Sequence, residues 1–312
     1  MKIDVNAIKD RLAGRFEEKD VYMLTSSPRS GSTLLAQVLN VIPDSCVLFE
    51  PLQLNHVPEA RAAGFSWRMF VAPDEEWPEG EAFLKQVFEG RVINAWTARE
   101  MAGNDANKAK RMIVKCVRAN RLLPWICRRF EIPAPILLIR HPCAVIASQK
   151  NYNRVWKNAD RPDYPEYLDQ YPVFQALLSE AEGDEEFLAA LWALDQLPPL
   201  LHQMPRPWLI VTYEELFLRP EMTLARIFDN WGFDIDMGEA LSRMKKPSSV
   251  VGKSGISGVN GWKQRLTGEQ VSRILQTVNA FGLTFYTEND EADYDVLYGE
   301  SLSGDIHKAG IG

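Results

Sequence analysis

The sequence predicts a P-loop-like, doubly wound α/β domain: a parallel sheet flanked by helices. Three observations carry that prediction. Short apolar runs of strand length recur along the chain, as expected of strands buried on both faces. Segments with helical spacing lie between them, and this alternation favours parallel βαβ connections. The first run ends in the small-residue turn SSPRSGST, Ser26 to Thr33, which leads into a helical pattern. A strand, turn and helix of this kind present backbone amides to an anion.

The strand candidates, in order, are VYMLTSS from Val21, SCVLFEP from Ser45, RMIVKCV from Arg111, PILLIRH from Pro135 and WLIVTYE from Trp208. Helical patterns cover Thr33 to Leu39, Leu122 to Phe130, Ala144 to Asn151, Glu186 to His202 and Met222 to Trp231. Functional residues of such a fold gather at the carboxyl ends of its strands. The expected organisation is one domain over residues 1–288, with insertions at about 55–107 and 152–184 and a polar, fraying tail over 289–312. The first insertion is rich in Pro, Trp and acidic residues around one helical pattern, and the second carries Tyr152, Trp156, Tyr164, Tyr167, Tyr171 and Phe174. Long insertions on such folds either cover substrate or pack as surface excursions.

Composition narrows the function. The 312 residues are 46% hydrophobic and 25% charged, an ordinary globular profile. A net charge of −7 argues against a broad nucleic-acid face, though not against a local cationic pocket. Cys46, Cys116, Cys127 and Cys143 form no CxxC pair, and with only four histidines the sequence does not point to a metal. Each cysteine has apolar neighbours, which suits buried reduced thiols. The first twenty residues are charged throughout and lack a signal-peptide core, and no apolar run approaches the length of a membrane span. The expectation is a cytoplasmic enzyme.

A nucleoside-triphosphate loop reads GxxxxGK[ST]. In Ser26 to Thr33, Ser26 replaces the first glycine, Gly31 keeps the second, Ser32 stands where lysine belongs and Thr33 keeps the last place. The lysine neutralises the β- and γ-phosphates. Its absence counts against an ATPase, GTPase or kinase and favours a smaller anionic group. Amides from Ser30 to Leu34 face that group, with Arg29 adding charge. Read alone, the same turn is a strand–turn–helix capped by Ser or Thr.

With its surroundings, SSPRSGSTLLAQVLNVIPDSCVLFEPLQ resembles the amino-terminal motif of sulfotransferases. These enzymes take 3′-phosphoadenosine 5′-phosphosulfate (PAPS) as donor. The form is closer to the carbohydrate and tyrosylprotein enzymes than to the cytosolic phenol and steroid ones: Arg29 and Leu34 stand where the latter carry Lys and Trp, and Phe49, Glu50 and Pro51 follow. LLIRHPCAVIASQ, Leu137 to Gln149, resembles the 3′-phosphate site, with Arg140, Pro142 and Ser148 in place. A strand-end arginine clamps phosphate bidentately and a hydroxyl completes the contact; a lone Arg140 would equally suit a surface ion pair. VTYEELFLRPEMTLARIFDNWGF resembles the strand end where a tyrosine lies beside adenine, which implicates Tyr213; the plainer reading is a packed tyrosine. GWKQRLTGEQVSRI looks like the late Trp-Lys segment and its helix, preceded by a Gly-rich stretch from which Lys253 is carried over to the 3′-phosphate. The resemblance runs from about Val21 to Leu283 and implies the sulfotransferase fold.

The implied reaction is in-line attack of an acceptor hydroxyl on sulfur. Glu50 matches the glutamate of carbohydrate-type relatives and is the expected general base. The strand where cytosolic relatives carry a His reads VKCVRANR here, without one. Glu50 would also suit a helix start or a surface ion pair. Arg29 and Lys115 are the expected charge stabilisers; a lone Lys115 would also suit a snorkelling side chain. Arg118, just beyond, is a candidate for an acidic acceptor. The expected partner is a hydroxyl-bearing acceptor, with a glycan favoured by the motif and by the many Trp and Tyr residues, which also suit a core. A P-loop phosphotransferase and a non-catalytic nucleotide- or glycan-binding relative are the alternatives. The sequence is silent on oligomeric state.

Overall fold

A computed structural model describes residues 4–101, 105–150, 168, 171–245 and 258–299. Five strands form one sheet in the order β2-β3-β1-β4-β5. They are β1 (Val21–Ser26), β2 (Ser45–Phe49), β3 (Arg111–Cys116), β4 (Ile136–Ile139) and β5 (Leu209–Thr212). All four pairings are parallel. Each strand falls within one of the five apolar runs.

Period-two alternation distributes the side chains of these strands between two faces. Tyr22, Leu24, Val47, Ile113, Leu138 and Val211 share a core with the Ser32–Leu39, Pro220–Asn230 and Met237–Met244 helices. Met23, Cys46, Leu48, Met112 and Val114 pack on the other face with the Val5–Leu12, Pro78–Phe88 and Leu123–Arg129 helices. Leu137 and Ile139 continue that face beneath the Pro142–Lys150, Asp184–Leu201 and Gly268–Ala280 helices. Both faces are covered, which is why the runs read as continuously apolar.

One expectation changes. The segment after Asn289 does not fray as far as residue 299: Asp293 caps a Tyr294–Tyr298 helix, and Leu297 is wholly buried. Arg219 pairs with Glu291, and Tyr294 bonds Thr212 at 3.2 Å, tying this segment to the end of β5. The aromatic residues, which suit either sugar platforms or a core, are largely core among those described: Trp125, Trp192, Trp208, Trp231 and Trp262 are buried, and Phe174 packs on Phe281 at 5.5 Å between centroids. Tyr152, Trp156, Tyr164 and Tyr167 lie outside the described residues. Cys46, Cys116 and Cys143 are buried and Cys127 partly so, all as free thiols. Burial pushes Cys116, Cys127 and Cys143 up to about 12, so these are unreactive. Among the described residues no helix is long and apolar enough to cross a membrane, and no group of three or more His, Cys, Asp and Glu is placed to hold a metal ion.

Candidate active site

The loop after β1 lies at the centre of the sheet, where the chain order reverses. From β1 the chain runs out to β2 and back to β3 on one side, then crosses to β4 and β5 on the other. In α/β sheets, ligands bind outside the strand ends at that crevice.

Gly31 is the N-cap of the Ser32–Leu39 helix at φ 93°, and no side chain caps it. The capping role open to Ser or Thr in the sequence is therefore not taken, and the first amides of the helix keep their capacity for an anion. The Ser30 hydroxyl, from a residue 1% exposed, has no hydrogen-bond partner among the described residues. Thr33 and Leu34 are partly buried in the first turn, and Ser32 is buried. Only glycine fits at position 31: a Cβ there would lie 2.5 Å from Cδ2 of Tyr213.

Tyr213 opens the Tyr213–Leu218 helix directly after β5, so its contact with Gly31 ties the end of the edge strand to the central loop. The Arg140 guanidinium lies 4.0 Å over the Tyr213 ring. Arg140 Nη1 donates to the Arg29 carbonyl at 3.1 Å, while its buried Nε has no partner among the described residues. Arg29 Nε donates to Ser148 Oγ at 3.0 Å, and Gln149 Nε2 donates to the Pro28 carbonyl at 3.2 Å. The structure thus gathers Arg29, Ser30, Gly31, Arg140, Ser148 and Tyr213 into one continuous group. Lys253 lies outside the described residues.

Beneath Arg140, a network not foreseen from the sequence sets the strand end. The His141 amide donates to Glu214 Oε1 at 3.0 Å and Tyr286 donates to Glu214 Oε2 at 2.7 Å. Burial raises the Glu214 carboxyl above its ordinary range, against the lowering effect of these bonds. His141 is stacked on Trp262 at 4.6 Å. Its Nδ1 accepts the Cys143 amide at 3.2 Å and its Nε2–H donates to the Thr287 carbonyl at 2.9 Å. That pattern requires the neutral ring, and burial holds its pKa down at about 4.

Glu50 sits just past β2 at φ 48°, 3% exposed. It is neither a helix start nor a surface ion-pair member. Lys115, directly opposite Phe49 in β3, binds its Oε1. The Val117 amide donates to Oε2 at 3.1 Å, and Arg118 Nη1 lies 3.8 Å from the same atom. Lys115 is 3% exposed and lies 4.5 Å over the Phe49 ring, so it is a buried partner and not a snorkelling side chain. With one strand between β2 and β1, a spacing of ~4.8 Å per strand puts Glu50 about 10 Å across the sheet from the loop.

Between Glu50 and the loop lies a cleft lined by Pro28, Trp67, Arg68, Arg118, Arg121 and Asp195. Asp195 takes Arg121 on Oδ1 and the Ser27 hydroxyl at 3.1 Å on Oδ2, with Arg68 at 3.4 Å. Arg121 Nε also donates to the Leu194 carbonyl at 3.3 Å. Pro198, one turn on in the Asp184–Leu201 helix, has no N–H for that carbonyl, so the arginine takes its place. Gln196 Nε2 donates to Ser27 Oγ at 2.7 Å. Of the four non-glycine residues with positive φ among those described, Arg29, Glu50 and Arg68 stand here. Such concentration of strain is typical of functional sites. The Arg68–Arg121–Asp195 cluster carries no short motif and joins positions up to 127 apart, so sequence reasoning missed it.

At 25% identity, the chain resembles Nodulation protein NoeE of Sinorhizobium fredii over 83% of its own length and 64% of that protein's, just under two thirds of the relative. Among solved structures, mouse sulfotransferase SULT7A1 complexed with PAP is 16% identical, covering 88% of this chain and 86% of that one, with a TM-score of 0.47. The sulfotransferase domain of the Synechococcus PCC 7002 olefin synthase is 21% identical, covering 85% and 98%, with a TM-score of 0.44. A family model described as "Sulfotransferase family" matches residues 23–237. That span takes in the β1 loop, Glu50, Lys115, Arg140, Ser148 and Tyr213 and is well over half of the chain, so the protein belongs to the sulfotransferase family.

Proposed function

We propose that the protein transfers a sulfuryl group from PAPS to a hydroxyl of a carbohydrate or other small-molecule alcohol, in the cytoplasm. The observation that carries this reading is the continuity of the two phosphate motifs. Arg29 touches Ser148, Arg140 holds the Arg29 carbonyl, and Tyr213 bridges Arg140 and Gly31. Uncapped amides, and a Ser30 hydroxyl and an Arg140 Nε with no partner among the described residues, suit a ligand that is anionic at two places.

In this reading the amides from Ser30 to Leu34 and Arg29 hold the sulfated end. Arg140 and Ser148 hold the ribose phosphate, Tyr213 lies beside the base, and Lys253 contributes a late contact. When bound, the donor supplies the activated sulfuryl group. Glu50 accepts the acceptor's proton on Oε2, the oxygen that Lys115 does not bind and that also takes the Val117 amide. Arg29 stabilises charge on the departing oxygen without giving up a proton, and Lys115 holds Glu50 in place.

Thermal melting with adenosine 3′,5′-bisphosphate, then labelled PAPS over a panel of alcohols, tests this. The bisphosphate should raise the melting temperature, ATP with magnesium should not, and Arg140→Ala should shrink the shift. Glu50→Gln should keep the shift and abolish transfer. Normal transfer by Glu50→Gln removes the base assignment. Binding without transfer to any acceptor makes the protein a non-catalytic relative.

A further inference from the structure

We propose that Arg118, laid on Trp67 beside the loop, binds a carboxylate of the acceptor, so that the substrate is a hydroxyl-bearing acid. This deepens the sulfuryl-transfer reading and rests on it. The three arginines of the cleft differ in their engagements. Arg121 binds Asp195 and two backbone carbonyls, and Arg68 contacts Asp195. The Arg118 side chain makes no hydrogen bond among the described residues; it forms only a loose ion pair with Glu50, at 3.8 Å. Its side chain is 18% exposed, open enough to meet a ligand and buried enough for pairing to matter.

The Arg118 guanidinium is held 4.4 Å over the Trp67 ring. A face-stacked guanidinium keeps its N–H edge for a partner in its own plane. A carboxylate is planar and offers two oxygens at the matching spacing, which is the bidentate fit. Fixing the guanidinium beforehand also lowers the ordering cost of binding. The chain carries net charge −7, so a cationic cleft against that background favours anions over neutral molecules. Position supplies the rest. Val117, the preceding residue, donates its amide to Glu50 Oε2, and Pro28 of the loop lines the same cleft. An acid anchored on Arg118 therefore has its hydroxyl within reach of both the proposed base and the proposed donor.

The test uses the full chain saturated with adenosine 3′,5′-bisphosphate, with benzoate and benzamide as probes followed by ligand-observed NMR. Benzoate should bind at least tenfold more tightly than benzamide. Arg118→Gln should erase that preference while leaving melting temperature and bisphosphate affinity unchanged, and Arg118→Lys should keep only part of it. Equal binding of the two probes, or a preference that survives in Arg118→Gln, overturns the inference and leaves the sulfuryl-transfer reading standing. If the bisphosphate itself does not bind, the sulfuryl-transfer reading fails; the same titration on the free chain still decides whether Arg118 is a carboxylate site. In transfer assays, a hydroxy acid should be preferred to its methyl ester, and Arg118→Gln should raise KM for the acid and not for PAPS. The opposite pattern assigns Arg118 to the donor and overturns the proposal.

Discussion

Removing either member of the Glu50–Lys115 pair should cost far more stability than a surface charge does. Both side chains are 4% exposed, so neither charge has water to fall back on. Lys115→Met keeps most of the side-chain volume but removes the ammonium that lies over Phe49, and strands the Glu50 carboxylate with Val117 N–H and a distant Arg118. Breaking a buried pair in this way costs about 3–5 kcal/mol. Glu50→Gln strands the ammonium of Lys115 and should cost a similar amount. The double variant, with both charges gone, should lose less than the sum by about 1–3 kcal/mol. Urea unfolding of the four proteins gives this cycle directly. Single losses under about 0.5 kcal/mol, or a double loss additive within that error, would show that the pair is not buried as described. The cycle also separates structure from chemistry, because a Lys115→Met protein that still folds should bind adenosine 3′,5′-bisphosphate normally.

Three further outcomes are expected. Gly31→Ala should weaken bisphosphate binding and lower stability, since the left-handed backbone alone costs about 1–2 kcal/mol and the new methyl group meets the Tyr213 ring; unchanged binding would remove the role given to that contact. Stability should fall with acid through His141: the unfolded chain takes up this proton below about pH 6.5, the folded chain only below about 4, so between pH 7 and pH 5 wild type should lose about 2 kcal/mol relative to His141→Gln, and parallel stability curves would refute this. Leu297→Ala should destabilise the whole domain by about 2–5 kcal/mol in urea unfolding; a neutral change would return the Tyr294–Tyr298 segment to a loosely attached tail.

The strands were legible because burial on both faces makes the strands of a parallel sheet mostly apolar, and the β1 loop was legible because its residues are contiguous. Leu137 to Gln149 was readable for the same reason: one segment carries Arg140, Pro142 and Ser148. The role of Gly31 was only half readable. Its place in the turn follows from the pattern, but the ring that excludes every other residue arrives from Tyr213, at the far edge of the sheet. The Arg68–Arg121–Asp195 cluster was unreadable, since a charged residue in a Trp-rich insertion looks solvated until the fold supplies its partner. Asp195 within an apolar helix just before two prolines was the one available signal. The Tyr294–Tyr298 helix was hidden by the acidic residues around it, which turn out to cap and pair.

The β1 loop is braced from several directions at once. Asp195 and Gln196 hold Ser27, Gln149 holds the Pro28 carbonyl, Arg140 holds the Arg29 carbonyl, and Tyr213 closes over Gly31. A loop so thoroughly bolted has almost no slack to surrender to a ligand, whereas Trp67 and Arg118 sit on a separate wall with lighter fastenings. Under the proposed reaction, a change of acceptor therefore has somewhere to happen, at Trp67 and Arg118, without loosening the loop proposed to grip the donor.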